Sequence, residues 1–186
     1  FTHCRDVVVE VSKAGGFGVL GAAGLSPEQL EIELSWIDGH IGGMPYGLDL
    51  IVPNKFIGKG ETPTPEEMLA MLPDEHKKFA NGILAANGID PGEPDPEFLS
   101  QRIKRSANLT IEGAIAHMDV AFGHPIKLIA NALGVPPKEM LARGRRNGVV
   151  VAALVGAKSH AINQVQAGVD ILVVAGGEAG GHCGGV

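Results

Sequence analysis

The sequence is poor in the residues that mark several classes of protein. Only two cysteines, Cys4 and Cys183, occur among 186 residues, which is too few for a disulfide framework. No apolar run approaches the roughly 18 residues that a membrane span requires, and no secretory signal is recognisable. We therefore predict a cytoplasmic protein that makes no use of a membrane.

Positive charge is also scarce. Lys and Arg number 15 against 21 Asp and Glu, which gives a net charge of −6. Nucleic acids and anionic membranes attract proteins through clustered Lys and Arg, so neither is a predicted partner. We interpret the basic cluster Arg143, Arg145 and Arg146 as the last turn of a helix, where cations are favourable.

The histidines outside the last 20 residues give no sign of a metal site. No acid or thiol stands at ligand spacing from His117, His124 or His160. We predict that these three are surface or helix-end side chains and that no metal is bound.

Short apolar runs rich in Gly, Ala and Val predict five strands, which alternate with helices. The runs are continuous rather than alternating, which is typical of parallel strands buried on both faces. The predicted strands are 18–23, 48–52, 126–130, 149–154 and 171–175; the predicted helices flanking them are 6–13, the one capped by Ser26 and ended by Gly39, 110–122, 136–146 and 158–167.

Strand–helix repeats of this kind form either a doubly wound sheet or an eight-stranded barrel. The short connections from each helix to the next strand favour an α/β TIM (β/α)8 barrel. The lack of a Gly-x-Gly-x-x-Gly turn in the first βα unit favours it as well. We expect a further strand before Phe1 and about two more units after Val186. The chain would then supply about the first six βα units of a longer protein.

The segment 54–124 interrupts the regular alternation. It contains six prolines within 63–96 and predicted helices near 65–72, 75–87 and 96–106. Connections that long usually have a functional role, and this one leaves the carboxyl end of the strand 48–52, which is the third strand when the one expected before Phe1 is counted. We predict a helical insertion or lid, within a single domain that spans 1–186.

The segment 170–184 carries the main candidate site. A buried strand runs into a loop with five glycines, one acid, Glu178, and one imidazole, His182. Glycine lets the backbone approach a ligand, and α/β proteins build sites at the carboxyl ends of strands. An imidazole there can act as acid or base. The alternatives are a solvated loop histidine and, for Glu178, a helix cap. A Cys183–His182 nucleophile pair is disfavoured, since adjacent side chains usually point apart.

Two glycine segments near the beginning of the chain have different interpretations. Residues 14–18, Ala-Gly-Gly-Phe-Gly, invite comparison with a phosphate loop but follow a helix, so we predict helix termination there. Ala22-Ala23-Gly24 follows a strand and stands at the correct end to admit a flat ring.

Several of these motifs resemble the nitronate monooxygenases. The resemblance rests on segments 14–21, 26–29, 134–137, 167–170 and 176–182, the last reading Gly-Gly-Glu-Ala-Gly-Gly-His. It implies a TIM barrel that holds FMN at the carboxyl ends of its strands and oxidises an alkyl nitronate with O₂. His182 would be the catalytic acid–base residue. Cofactor contacts would come from Ala22, Ala23, Gly176, Glu178, Gly180 and Gly181.

Two positions depart from the pattern that the resemblance implies. Ala175 replaces a glutamine that commonly contacts the flavin, and Asp49 replaces an asparagine that commonly faces its ring. A carboxylate beside an electron-rich flavin disfavours the reduced anion. An NAD(P)H-dependent flavin reductase of enoyl thioesters or quinones, and a barrel that binds flavin or another ligand without turnover, therefore remain alternatives. The predicted partners are a small-molecule substrate and O₂, with a homo-oligomer left open.

Overall fold

In this computed structural model, residues 2–52, 70–90, 92 and 111–180 are described. The chain divides into two compact units, one formed by Phe1–Phe56 with Asn108–Val186 and the other by Ile57–Ala107. Along the chain the described elements are α1 (Arg5–Lys13), β1 (Gly18–Gly21), α2 (Pro27–His40), β2 (Tyr46–Leu50), α3 (Asp74–Ala86), α4 (Ile111–Gly123), β3 (Leu128–Asn131), α5 (Lys138–Asn147), β4 (Val150–Val155), α6 (Lys158–Ala167) and β5 (Ile171–Val174).

The first unit is built on one parallel sheet whose strand order, β1-β2-β3-β4-β5, follows the sequence without reversal. A doubly wound sheet reverses its order at a switch point, so this order is that of a TIM barrel. The predicted α/β barrel class and its five strands are confirmed. On the other side of β1, Thr2 makes a parallel bridge with Leu20.

Glycines set the close approach of α1 to β1. Gly15 has φ +87° directly after the helix, and a Cβ on Gly18 would lie 2.2 Å from the Val8 carbonyl oxygen. The buried Ser12 hydroxyl joins the same corner, since it accepts from the Gly18 N–H at 3.0 Å and donates to the Pro45 carbonyl at 2.9 Å. The predicted helix termination is confirmed.

A capping box begins α2. The Ser26 hydroxyl accepts from the Gln29 N–H at 3.2 Å, and the Gln29 side chain accepts from the Ser26 N–H at 2.9 Å. These bonds satisfy two donors that a helix start leaves free. The buried face of α2 packs against α4, and three of its side chains are fully buried: Leu30, Leu34 and Ile37.

The strands differ from their predicted bounds by one or two residues at one or both ends, and β2 and β5 show the most informative differences. β2 begins at Tyr46 rather than at Leu48, because the Tyr46 ring is buried on the same face as Leu48 and its hydroxyl reaches Asp38. β5 is not buried on both faces: Ile171 is 42% exposed and Val174 77%. Among the described strands, β5 is the last of the sheet and pairs with β4 alone.

Within the segment 54–124, α4 belongs to the first unit. The second unit contains α3, which corresponds to the predicted helix 75–87 and has no buried side chain. The helix predicted at 96–106 and most of that at 65–72 lie outside the described residues. The role of an insertion or lid stays a prediction.

Candidate functional site

The inner face of the sheet carries a layer of small side chains around one acid. Gly21, Asp49, Ala130 and Ala152 are paired across four neighbouring strands, and directly paired residues project to the same face. Gly18, three residues before Gly21, projects to the opposite face, against α1. The layer therefore faces away from the helices, and Asp49 is its one charged side chain.

Asp49 is buried without a complete set of partners. It is 7% exposed, and its Oδ1 atom accepts no hydrogen bond in the described part of the chain. Burial raises the pKa of Asp49 from 3.8 to about 7, because a low dielectric disfavours the charged form. Near neutral pH a large fraction of Asp49 carries a proton and can donate a hydrogen bond.

His117 is buried rather than on the surface, which corrects the prediction. Its Nε2 lies 2.8 Å from the Leu25 carbonyl and its Nδ1 2.7 Å from the Gly113 carbonyl, and the residue is 3% exposed. The ring thus ties the loop after β1 to α4. A cavity of about 10 Å³ between His117 and Ala22 has room for at most one water, so His117 has a positioning role.

His124 stands at the end of α4, as predicted, but its side chain is largely buried rather than on the surface. Its Nδ1 lies 2.7 Å from Asp38 Oδ2 and its Nε2 3.2 Å from Glu31 Oε2, with 9% of the side chain exposed. The Tyr46 hydroxyl donates to Asp38 Oδ1 at 2.7 Å. Burial, then the Asp38 hydrogen bond and charge, raises the pKa of Tyr46. This network lies where strands begin, at the edge opposite to Asp49.

Sequence reasoning missed two buried amides at the carboxyl edge. The Asn131 side chain accepts from the Val52 N–H at 2.8 Å and donates to the Val52 and Gly134 carbonyls at 3.2 Å. Gln164 donates to the same Gly134 carbonyl at 3.0 Å. They fix the ends of β2 and the loop after β3. For Asn131 the available signal was an amide directly at the end of an apolar run; Gln164 lies inside α6 and gave no such signal.

The glycine loop after β5 is described as far as Gly180. Ala175 is half-buried, whereas Gly176, Glu178 and Gly180 are exposed. The Ala179 N–H donates to the Gly176 carbonyl at 3.1 Å, and the Glu178 carboxylate folds back over Gly176. The predicted residues Gly181 and His182, like Cys183, lie outside the described residues.

The remaining predicted residues lie near the ends of β1 and β2. Ala22 is fully buried and its N–H donates to the Asp49 carbonyl at 2.9 Å; Ala23 is half-buried. The structure thus places the predicted residues in two groups at one edge, with β3 and β4 between them. Their roles at a cofactor stay predictions.

The described residues meet the requirements of neither a metal site nor a membrane-spanning helix. Among the described residues, no group of three or more His, Cys, Asp and Glu side chains is arranged to hold a metal ion. In the same part of the chain, no helix is both long and apolar enough to cross a membrane.

Residues 4–186 match the family described as nitronate monooxygenase. The chain is 45% identical, over 187 residues, to "Putative monooxygenase Rv1533" of Mycobacterium tuberculosis, covering 99% of this chain and 48% of that protein. It is 26% identical to a "Probable nitronate monooxygenase" of Staphylococcus saprophyticus, covering 96% and 44%. The chain therefore spans about half the length of the curated relatives it matches.

Solved structures agree with this family. A nitroalkane oxidase of Streptomyces ansochromogenes superposes with a TM-score of 0.66 at 26% identity, covering 97% of this chain and 44% of that one. FabK of Thermotoga maritima superposes with a TM-score of 0.61 at 18% identity, covering 100% and 41%, which shows the fold alone.

Proposed function

Because the chain belongs to the nitronate monooxygenase family, we propose that it is part of an FMN-dependent oxidoreductase that oxidises alkyl nitronates with O₂. FMN, when bound, would supply the two-electron redox chemistry, which amino-acid side chains cannot perform. The observation that carries the proposal is the layer around Asp49 at the carboxyl edge of the sheet, where barrels of this kind hold their ligands.

The residues present fit a flat aromatic cofactor. Gly21, Ala130 and Ala152 leave the inner face beside Asp49 without bulky side chains. Asp49 Oδ1 is buried without a partner in the described residues, and such an atom costs free energy unless a ligand pairs with it. A polar ring edge placed beside Asp49 would remove this cost.

The protonation of Asp49 removes the objection that a carboxylate would repel reduced flavin. With its pKa raised to about 7 by burial, Asp49 can keep a proton, and nearby negative charge raises a carboxyl pKa further. The neutral acid can donate one hydrogen bond as an asparagine amide does. Having Asp49 where the resemblance implies an asparagine therefore keeps a hydrogen-bond donor at this position below about pH 7.

His182 is the proposed acid–base residue, on the sequence of its glycine loop. An imidazole in that loop can hold or accept a proton near neutral pH. We propose that the loop after β5 forms one wall of the FMN site, through Gly176, Glu178, Gly180 and Gly181. Ala22, Ala23 and Ala175 would complete it.

The test is the visible absorption spectrum of the full-length protein, purified and then supplied with FMN. An oxidised-flavin spectrum that is bleached anaerobically by propyl-2-nitronate and restored by air supports the proposal. His182→Ala should bind FMN normally and lower kcat/KM for the nitronate by at least about 100-fold.

The same experiment separates the alternatives. Bleaching by NADH and not by the nitronate would assign the protein to flavin reductases. A bound flavin that neither reductant bleaches would indicate a binding protein without turnover. If the protein takes up no FMN, the proposal that FMN is its cofactor is wrong.

A further inference from the structure

His3 lies beside the same layer and has no place in the proposed function so far. The Thr2 N–H donates to the Val19 carbonyl at 3.2 Å, and the Thr2 carbonyl accepts from the Gly21 N–H at 2.7 Å. These bonds continue the parallel sheet past β1 for one residue. His3, the next residue, therefore stands next to Gly21, with Asp49 paired to Gly21 on the other side.

A hydrogen bond to the backbone fixes the tautomer of His3. The ring Nδ1 lies 2.6 Å from the Gly21 carbonyl oxygen. A carbonyl can only accept, so Nδ1 carries the proton, and in the neutral ring Nε2 keeps its lone pair. Nε2 makes no hydrogen bond to any described residue, and His3 is exposed.

The His3 ring lies on the face of the sheet to which Asp49 projects. A Cβ built on Gly21 would be 3.5 Å from His3 Cε1 and 3.6 Å from Nδ1, so the ring covers Gly21 on the side where a side chain would stand. Asp49 is paired with Gly21 and projects to that side. Nε2 is bonded to Cε1 and therefore borders the same space.

We propose that His3 is a ligand-contacting residue of this site, whose Nε2 accepts a hydrogen bond from a ligand held against the edge of the His3 ring and beside Asp49. Three observations carry this assignment: the anchored Nδ1, and the Nε2 and Asp49 Oδ1 atoms that lie on one face and have no hydrogen-bond partner among the described residues. The absence of a side chain on Gly21 provides the room for the His3 ring on this face.

The two side chains define the chemistry of the ligand. Nε2 of the neutral ring accepts, and protonated Asp49 donates, so the ligand must present a polarised X–H group next to an oxygen acceptor. Resting on the proposed function, two sources offer this pattern. They are the N–H and carbonyl edge of FMN, and the protonated form of an alkyl nitronate, whose O–H stands next to a second oxygen.

The experiment is a long-range ¹H–¹⁵N spectrum of the full-length protein labelled with ¹⁵N-histidine, with His3→Asn identifying the His3 signals. In the neutral ring without ligand, the proton should be found on Nδ1 and not on Nε2. FMN is added first and propyl-2-nitronate second, under anaerobic conditions. A shift of the His3 Nε2 signal with FMN identifies the cofactor as the ligand; a shift only with the nitronate identifies the substrate.

A matched pair of variants supplies the second measurement. Asn can donate to a backbone carbonyl as Nδ1 does but has no counterpart of Nε2. His40 is the control, because its Nδ1 also lies 2.7 Å from a backbone carbonyl oxygen, that of Trp36. His40 is the last residue of α2 and does not belong to the layer around Asp49. His3→Asn should weaken binding of the ligand identified above about threefold to tenfold, and His40→Asn should leave it unchanged.

The outcomes separate this proposal from the proposed function. If the unsubstituted protein binds FMN and oxidises the nitronate, but the His3 signals move with neither addition, the His3 assignment is overturned alone. Equal binding by His3→Asn and His40→Asn has the same meaning. If the unsubstituted protein binds no FMN, both proposals are overturned.

Discussion

The two edges of the sheet differ in whether their buried polar groups have hydrogen-bond partners. At the amino edge, the Tyr46 hydroxyl and both ring nitrogens of His124 contact carboxylates of Asp38 and Glu31. At the carboxyl edge, Asp49 Oδ1 is buried with no partner among the described residues. Burying a polar group is costly unless it is paired. The paired groups at the amino edge therefore stabilise the fold. At the carboxyl edge, burial of Asp49 Oδ1 without a partner costs free energy, and a ligand that pairs with this atom would remove the cost.

The contrast is one of partners rather than of composition. Asn131 also lies at the carboxyl edge and is fully buried, yet its amide is saturated by the backbone of Val52 and Gly134. Position at this edge does not by itself indicate a ligand contact. The informative property is a buried or anchored polar side chain with an unused donor or acceptor.

The largest expected effect comes from Asp49→Asn, which should stabilise the protein at alkaline pH. The folded pKa of about 7 exceeds the ordinary 3.8, so ionised Asp49 opposes folding by about 4 kcal/mol above pH 7. The cost grows between about pH 4 and 7 and is absent below. Urea unfolding without added ligand should show Asp49→Asn more stable than the unsubstituted protein at pH 8 and equal to it near pH 3.5.

The exposed carboxylate Glu75 provides the control for this prediction. Glu75→Gln should change the free energy of unfolding little at either pH, because its side chain is 82% exposed and solvent screens it. If Asp49→Asn shifts stability by the same amount at both pH values, Asp49 is not a buried acid with a raised pKa.

The next effect has the opposite sign and tests the amino edge. Asp38→Ala removes the acceptor shared by Tyr46 and His124, so two largely buried groups lose a partner. We expect a loss of about 3 kcal/mol in the free energy of unfolding, measured with urea at pH 7. Glu31→Ala, which removes an exposed contact of the same His124 ring, should cost clearly less. Equal losses would mean that burial does not distinguish the two contacts.

Asn131→Ala should destabilise the carboxyl edge by about 2 kcal/mol, because it leaves the buried Val52 backbone without partners. The local measurement is hydrogen exchange of the Val52 amide, which should become faster. Asn147→Ala is the matched control: Asn147 is exposed and donates to the Arg143 carbonyl, so it should change stability little. Unchanged exchange at Val52 would contradict the role of Asn131.

The sequence predicted the elements better than the contacts between them. Continuous apolar runs gave the five strands, and the Ser26 capping box gave the start of α2, because both signals are local. The burial of His117 and His124 was missed because their partners Leu25 and Asp38 lie 92 and 86 residues away in the chain. No helical spacing contains such information.

The candidate site shows the same division. Asp49 could be singled out because the resemblance implies an asparagine at its position, but its protonation depends on burial by neighbouring strands. His3 was missed because it precedes the first predicted element and gains its meaning only from the bridge of Thr2 to β1. The role of His182 stays a prediction that rests on its glycine loop.

The smallest expected effect, from Tyr46→Phe, tests whether the amino-edge network acts as one unit. The ring keeps its packing, so only the hydrogen bond to Asp38 is lost, and the free energy of unfolding should fall by about 1 kcal/mol. In the Asp38→Ala background the same change should cost almost nothing, since its acceptor is already gone. A cost equal in both backgrounds would show that the hydroxyl is stabilised by another group, and the contrast between the two edges would then not rest on Asp38.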